Sequence, residues 1–255
     1  MKALITGATS GIGKSIAENL HRRGWKLILT GRNERVLNEM KERFGNGTEI
    51  IVAELSKRED VFRVYDFCRG KKVSMLVNSA GYGIFGEFDK TDLDDEINMI
   101  NVNVTALHIL TKLFLRDFKK RNKGYILNVA SVAGFMTGPL LSSYYASKNY
   151  VVRLSLAIYE ELRRSHSNVK ITVLCPGPVD TNFNSRAGVN FSVKPVNADY
   201  VAEYALKKVF DGKLLAVPGF AVKLGVFGQR FVPCKLLSAI VYNVQKAKKF
   251  DDVKK

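Results

Sequence analysis

Three places in this sequence carry a tyrosine and a lysine four residues apart: Tyr144 with Lys148, Tyr204 with Lys208, and Tyr242 with Lys246. On a helix such a pair shares one face, so the ammonium can favour the phenolate and lower a pKa that ordinarily stands near ~10. A phenol tuned in this way exchanges a proton with a carbonyl or alcohol oxygen near neutral pH. Spacing does not choose among the three, but what precedes each pair does. Thirteen residues before Tyr144 stands Ser131, just after the apolar run Tyr125-Ile126-Leu127-Asn128-Val129, where a hydroxyl could meet a reacting oxygen. The equivalent positions before Tyr204 and Tyr242 are Phe191 and Gln229, so those pairs read as amphipathic helix faces with solvated lysines. Tyr145, three residues before Lys148, is the nearer rival to Tyr144.

A second group is built on glycine. Thr6-Gly7-Ala8-Thr9-Ser10-Gly11-Ile12-Gly13 has the spacing G-x-x-x-G-x-G and opens into a helical pattern. Glycines let the backbone turn tightly and approach a pyrophosphate, whose charge meets the free N–H groups of the helix start. The same pattern could be a plain turn before a helix, but its place at the first strand-to-helix junction points to a dinucleotide. The second apolar run ends Leu29-Thr30-Gly31-Arg32, with no carboxylate before Glu34. Where NAD sites place an acidic residue for the ribose hydroxyl, NADP sites offer an arginine to the 2′-phosphate, so Arg32 predicts NADPH over NADH.

These residues need a frame. Apolar runs of strand length lie near 2–6, 26–30, 49–53, 74–78, 124–129, 169–174 and 214–217, with helix-period segments at 12–23, 33–43, 57–69, 93–120, 142–165 and 198–210. Such alternation requires crossover connections, hence a parallel sheet covered by helices on both faces. The expected architecture is α/β: a single doubly wound Rossmann-type domain with a seven-stranded parallel sheet over residues 1–220, and a helical C-terminal extension over 221–255. In such sheets ligands bind beyond the carboxyl ends of the strands, where the glycine loop, Arg32 and Ser131 fall.

Over roughly residues 1–220 the sequence resembles the short-chain dehydrogenase/reductase family. The resemblance rests on Gly7, Gly11 and Gly13, on Asn78-Ser79-Ala80-Gly81, on Ser131, Tyr144 and Lys148, on Asn103 in Val102-Asn103-Val104-Thr105-Ala106, and on Pro176-Gly177-Pro178-Val179-Asp180-Thr181. Asn101 is set aside because the family motif continues as it does after Asn103. The resemblance implies hydride transfer between a nicotinamide and a carbonyl carbon. Asn103, Ser131, Tyr144 and Lys148 are then the catalytic set. Tyr144 gives the proton, Ser131 binds the oxygen, Lys148 holds the nicotinamide ribose and tunes Tyr144, and Asn103 holds a water that relays protons. Cofactor contacts are implied for Gly7, Thr9, Ser10, Gly11, Ile12, Gly13, Arg32, Asn78, Ala80, Gly81, Tyr144, Lys148, Pro176, Gly177, Val179 and Thr181. The chain departs from the family at Glu54, where an aspartate is usual, and at Ala130, where a serine is usual.

Length and composition agree with one soluble globular unit: 255 residues, 46% hydrophobic, 25% charged. Cys68, Cys175 and Cys234 are odd in number and lack metal-ligand spacing, so no metal is expected and a reducing, cytoplasmic setting fits. The start Met1-Lys2-Ala3-Leu4-Ile5-Thr6-Gly7 reads as a strand rather than a signal peptide. The net charge of +16 is concentrated: residues 205–255 carry eleven Lys and Arg against three Asp. Without a recognisable motif or arginine-rich arm, nucleic acid is disfavoured.

Substrate residues are sought in the stretch 182–196, read as a mobile flap with Phe183, Asn184, Ser185, Gly188 and Phe191, and around Tyr82, Phe85, Met136, Leu141 and Tyr145. The lining is apolar and suits a 3-oxoacyl chain or a steroid-like ketone. Beyond Leu214 the chain is apolar but interrupted by Lys223, Arg230, Lys235, Pro218 and Pro233, which excludes a transmembrane span there. Leu236, Leu237, Ile240, Val241 and Val244 form a helical stripe near Lys246, Lys248 and Lys249 that either packs on the body or a second subunit or lies on an anionic membrane surface. The partners expected are a small carbonyl substrate and a second copy of the chain in a homo-oligomer. The alternative is a non-catalytic NADPH-binding or membrane-associated protein that keeps the fold.

Overall fold

The structure is a computed structural model that describes residues 1–181 and 195–247. Seven strands form one sheet: β1 (Lys2–Thr6), β2 (Lys26–Gly31), β3 (Thr48–Val52), β4 (Met75–Asn78), β5 (Gly124–Val129), β6 (Val169–Leu174) and β7 (Leu215–Ala216). Their order is β3-β2-β1-β4-β5-β6-β7 and every pairing is parallel. The order reverses between β1 and β4, and the crevice above that switch point is where ligands bind in such sheets. The helices are α1 (Gly11–Arg22), α2 (Glu34–Phe44), α3 (Arg58–Cys68), α4 (Leu93–Ile100), α5 (Leu107–Lys120), α6 (Ser142–Arg164), α7 (Ala198–Phe210), α8 (Phe220–Gly228) and α9 (Cys234–Lys246).

Alternation of side chains along each strand divides the core in two. Ala3 and Ile5, Leu27 and Leu29, and Met75 and Val77 face α1, α2 and α7 through Ile16, Leu20, Leu37, Val201 and Leu206. Leu4, Ile28, Leu76 and Ile126 face the other way, onto α3, α5 and α6 through Val64, Phe114, Phe118 and Leu162. Both faces are covered by helices, as the continuous apolar runs required.

The sequence predicted one helix over 93–120. The chain instead inserts a π turn, Asn101–Ala106, between α4 and α5, and buries Asn103 within it. Such turns are frequent at functional sites because the extra residue re-aims a side chain. The extension expected to be helical contains α8 at 220–228 ahead of α9. The stripe expected in α9 divides: Val241 is buried, while Leu236, Ile240 and Val244 are exposed. The predicted flap lies outside the described residues apart from its last two, and Lys248 and Lys249 lie outside them entirely. Val196 bridges Val179.

A polar knot lies inside the second layer. Asn78 Nδ2 donates to Asn128 Oδ1 at 2.9 Å and to Thr111 Oγ1 at 3.0 Å, and Asn128 Nδ2 donates to Ser155 Oγ at 3.0 Å. All four residues are buried, so the network ties β4, β5, α5 and α6 into one register. Asn128→Leu strands Asn78 and Ser155 without these partners. We expect it to cost about 2 kcal/mol and to lower the melting temperature by about 4–8 °C, measured by calorimetry, with no change in the sheet's circular dichroism.

Candidate active site

A cleft of about 630 Å³ opens along the carboxyl edge of the sheet. Its near end is the loop between β1 and α1. Gly7 has φ +65°, and a Cβ there would stand 2.8 Å from the Ala80 backbone. A Cβ on Gly13 would overlap the Gly7 carbonyl, so these glycines bring the loop against the β4 loop and α1 against the strand. Gly7, Thr9, Ser10, Gly11 and Ile12 line the cleft; Gly13 lies behind them. Arg32 lines the same end and donates from Nη1 to Glu54 Oε2 at 3.2 Å. Glu54 comes from beyond β3, a partner that Arg32's position in sequence does not reveal.

Farther along, Ala80 and Gly81 line the cleft, but the side chain of Asn78, expected at the cofactor, turns inward to the polar knot. Asn103 sits beneath the lining. Its Oδ1 accepts from the Tyr82 backbone N–H at 3.1 Å, and its Nδ2 donates to the Tyr82 carbonyl at 2.9 Å and to Ser147 Oγ at 3.1 Å. The amide thus fixes the β4 loop to α6, which is a positioning task. Pro176, Gly177, Val179 and Thr181 line the cleft after β6.

The reacting groups meet in the middle. Ser131 begins a short turn, with its Oγ accepting from Ala133 N–H at 3.2 Å, and its side chain is hydrogen-bonded to Tyr144. Lys148 Nζ lies 5.7 Å from the Tyr144 ring centre and donates to the Val129 carbonyl at 3.1 Å. The lysines of the rival pairs stand at similar distances from their rings, 5.4 Å at Tyr204 and 5.8 Å at Tyr242, so spacing indeed decides nothing. Burial separates them. Tyr144 and Lys148 are both buried, whereas Tyr242 is exposed. Tyr145, the nearer rival, points its hydroxyl at Gln245, whose Nε2 lies 2.6 Å away.

The direction of the pKa shifts differs from the expectation. Burial is the largest cause at both groups: it pushes the Tyr144 phenol above its ordinary value, against the hydrogen bond with Ser131, and brings the Lys148 amine down to about 8. Low dielectric penalises each charged form, and this outweighs the attraction that spacing suggested. The result is a phenol that keeps its proton, as a proton donor to a carbonyl must. Cys175 lies beside Lys148, with its thiol pushed by burial to about 12, so it stays neutral.

Sequence reasoning missed the part played here by four residues. Asn149 donates from Nδ2 to the carbonyls of Ala133, Met136 and Tyr145 at 2.9–3.0 Å, clamping the Ser131 turn to α6. Ser147 passes the hold of Asn103 on to the Tyr144 carbonyl, 2.7 Å from its Oγ. Val244 and Gln245 of α9 line the cleft beside Tyr82, Leu141 and Tyr145. Phe85 and Met136, also expected at the substrate, do not line it.

Residues 1–190 match the short chain dehydrogenase family. The chain belongs to the short-chain dehydrogenase/reductase family. Among members of this family, a very-long-chain 3-oxoacyl-CoA reductase of Anas platyrhynchos is 35% identical over 208 residues, which is 78% of this chain and 66% of that protein. The chain thus spans just under two thirds of that relative. A short-chain dehydrogenase of Sphingobium yanoikuyae, solved in complex with NADPH, is 27% identical with a TM-score of 0.81, covering 98% of both chains. A family member from Burkholderia phymatum, solved with NAD, is 25% identical with a TM-score of 0.81, covering 90% of this chain and 92% of that one. Family membership places the chain among oxidoreductases, and the two solved relatives hold nicotinamide cofactors.

Two measurements test the site. Tyr144→Phe should leave cofactor binding within a few-fold and lower turnover by about 10²-fold or more, whereas Tyr204→Phe and Tyr242→Phe leave turnover unchanged. The second concerns Lys148, whose proton is held to its ordinary 10.5 when unfolded but released near 8 when folded. Between these values the unfolded chain binds more protons, so this group favours folding increasingly as pH rises. Urea unfolding should show the stability of the wild type gaining about 2 kcal/mol on that of Lys148→Met between pH 8 and 10.

Proposed function

We propose that the protein is an NADPH-dependent carbonyl reductase acting on an apolar ketone of the 3-oxoacyl or steroid type. The buried Tyr144, hydrogen-bonded to Ser131 with Lys148 at its flank, is the observation that carries this reading. A nicotinamide bound in the cleft supplies the hydride for the carbonyl carbon. Ser131 orients the substrate oxygen by a hydrogen bond from Oγ. Tyr144 gives that oxygen its phenolic proton, which its raised pKa keeps in place until charge develops on the oxygen. Lys148, with a folded pKa of about 8, restores the proton to Tyr144. Asn103, through Tyr82 and Ser147, keeps the β4 loop and α6 at a fixed separation while this happens.

Steric closeness at the glycines supports a cradle for the cofactor. Gly81 would carry a Cβ 2.9 Å from Asn103 Oδ1 and 3.3 Å from Lys148 Nζ, so the loop there is smooth by necessity. For the preference between cofactors the support is Arg32, half-exposed at the near end with Glu54 as its ion-pair partner among the described residues. A 2′-phosphate would compete with that carboxylate for the guanidinium. The apolar substrate is supported by Tyr82, Leu141 and Val244 along the far wall. A homo-oligomer belongs to the same proposal, with exposed Leu93 and Ile97 on α4 as contact candidates.

Oxidation of NADPH, followed by absorbance with a panel of acyl, steroid, sugar and aromatic carbonyls, tests the reaction. Turnover should concentrate on the apolar ketones, and complete silence across the panel would point to a binding protein instead. Arg32→Ala should raise the KM for NADPH by about tenfold or more and that for NADH by much less. Glu54→Gln should lower the KM for NADPH. Equal effects of Arg32→Ala on both cofactors would remove the 2′-phosphate from the reading.

A further inference from the structure

We propose that α8, the turn after it and the outer side of α9 dock on an anionic lipid surface. Phe220, Leu224 and Phe227 fall on one side of α8, and Phe231 follows in the turn with its ring 5.5 Å from that of Phe227. Their exposures are 77%, 57%, 59% and 75%, so four large apolar side chains stand in water within twelve residues. Scattered apolar residues are ordinary on a surface, but a contiguous cluster of this kind marks a contact. On α9 the stripe of Leu236, Ile240 and Val244 is likewise exposed. The inner side of that helix is tied to the body by buried Val241, by Gln245 on Tyr145, and by Ser238 Oγ at 2.6 Å from Thr137 Oγ1.

Charge selects the occupant. Between Gly212 and Phe250 there are seven Lys and Arg and no Asp or Glu. A second copy meeting this face about a two-fold axis would set Lys223, Arg230 and Lys235 against a face of the same charge, with no carboxylate in the stretch to answer them. Anionic headgroups answer them all, and apolar rings between lysines are the composition of a helix that lies in the interface. With nine and thirteen residues, α8 and α9 are too short to cross a bilayer, and no helix among the described residues is long and apolar enough to do so. Val244 belongs both to the exposed stripe and to the cleft wall, so a docked molecule turns the mouth of its cleft to the lipid. The docking itself does not depend on the reaction proposed above, and its test uses no substrate.

Flotation with vesicles of phosphatidylcholine, alone or with about a third phosphatidylglycerol, tests the proposal at low and high salt. The protein should float with the anionic vesicles, far less with the neutral ones, and less at high salt. Phe227→Ser with Phe231→Ser, and separately Lys223→Glu with Lys235→Glu, should each cut the floated fraction by about tenfold at an unchanged melting temperature. Failure of the wild type to float, or equal flotation by either double variant, would overturn it. So would sedimentation showing a dimer that Phe227→Ser with Phe231→Ser turns into monomers, which assigns the face to a second copy.

Discussion

An amine held at the bottom of the cleft sets the terms for everything around it. Lys148 Nζ rests against the Val129 carbonyl at the end of β5, with Gly81 on one side and Tyr144 on another. A lysine this deep has given up its hydration, and only a polar environment assembled from several elements can hold it there. That requirement explains features that otherwise look unrelated. The β4 loop ends in a residue without a side chain; the helix across from it breaks its period to bring Asn103 inward; the Ser131 turn is strapped to α6 by two bonds from one asparagine. Each of these places a fixed dipole or removes an atom within reach of the same few ångströms.

The frame was legible because buried parallel strands announce themselves as apolar runs between helix-period segments, and all seven appear within a residue or two of their expected positions. Tyr144 was legible for a different reason, since only one of the three pairs has a hydroxyl at a strand end before it. Its protonation was not. The i, i+4 spacing implies attraction, yet the phenol and the amine are shifted mainly by loss of water, and burial is a property of the assembled core rather than of a local pattern. Asn78 is the converse case. Its motif suggested the cofactor, but its side chain completes a network with Thr111 and Asn128, residues 33 and 50 positions away. Long-range polar pairing of this kind leaves no periodic trace.

Glu54 and Gln245 show the same limit at the two ends of the cleft. Arg32 reads as an isolated cation in the chain, yet the fold returns a carboxylate to it from 22 residues on. The consequence is that the site's local charge near Arg32 is close to neutral in a molecule whose total is +16. Net charge is therefore a poor guide to what the cofactor end experiences, and +7 of the total comes from the sequence beyond Gly212.

The far wall has a separate origin from the reacting groups. Ser131, Tyr144 and Lys148 are anchored by β5 and α6, while Val244 and Gln245 arrive on a helix that meets the body through few contacts, chief among them the bond from Gln245 to Tyr145. Tyr145 in turn packs its ring so closely on Gly138 that a Cβ there would stand 2.1 Å from it. The cleft thus joins a chemical side built on β5 and α6 to a wall carried in part by α9. Exchanging α9 for another helix of the same length that keeps one polar residue opposite Tyr145 would reshape the wall without disturbing the proton path. In that sense the cleft is a socket, and the chain carries its own interchangeable insert.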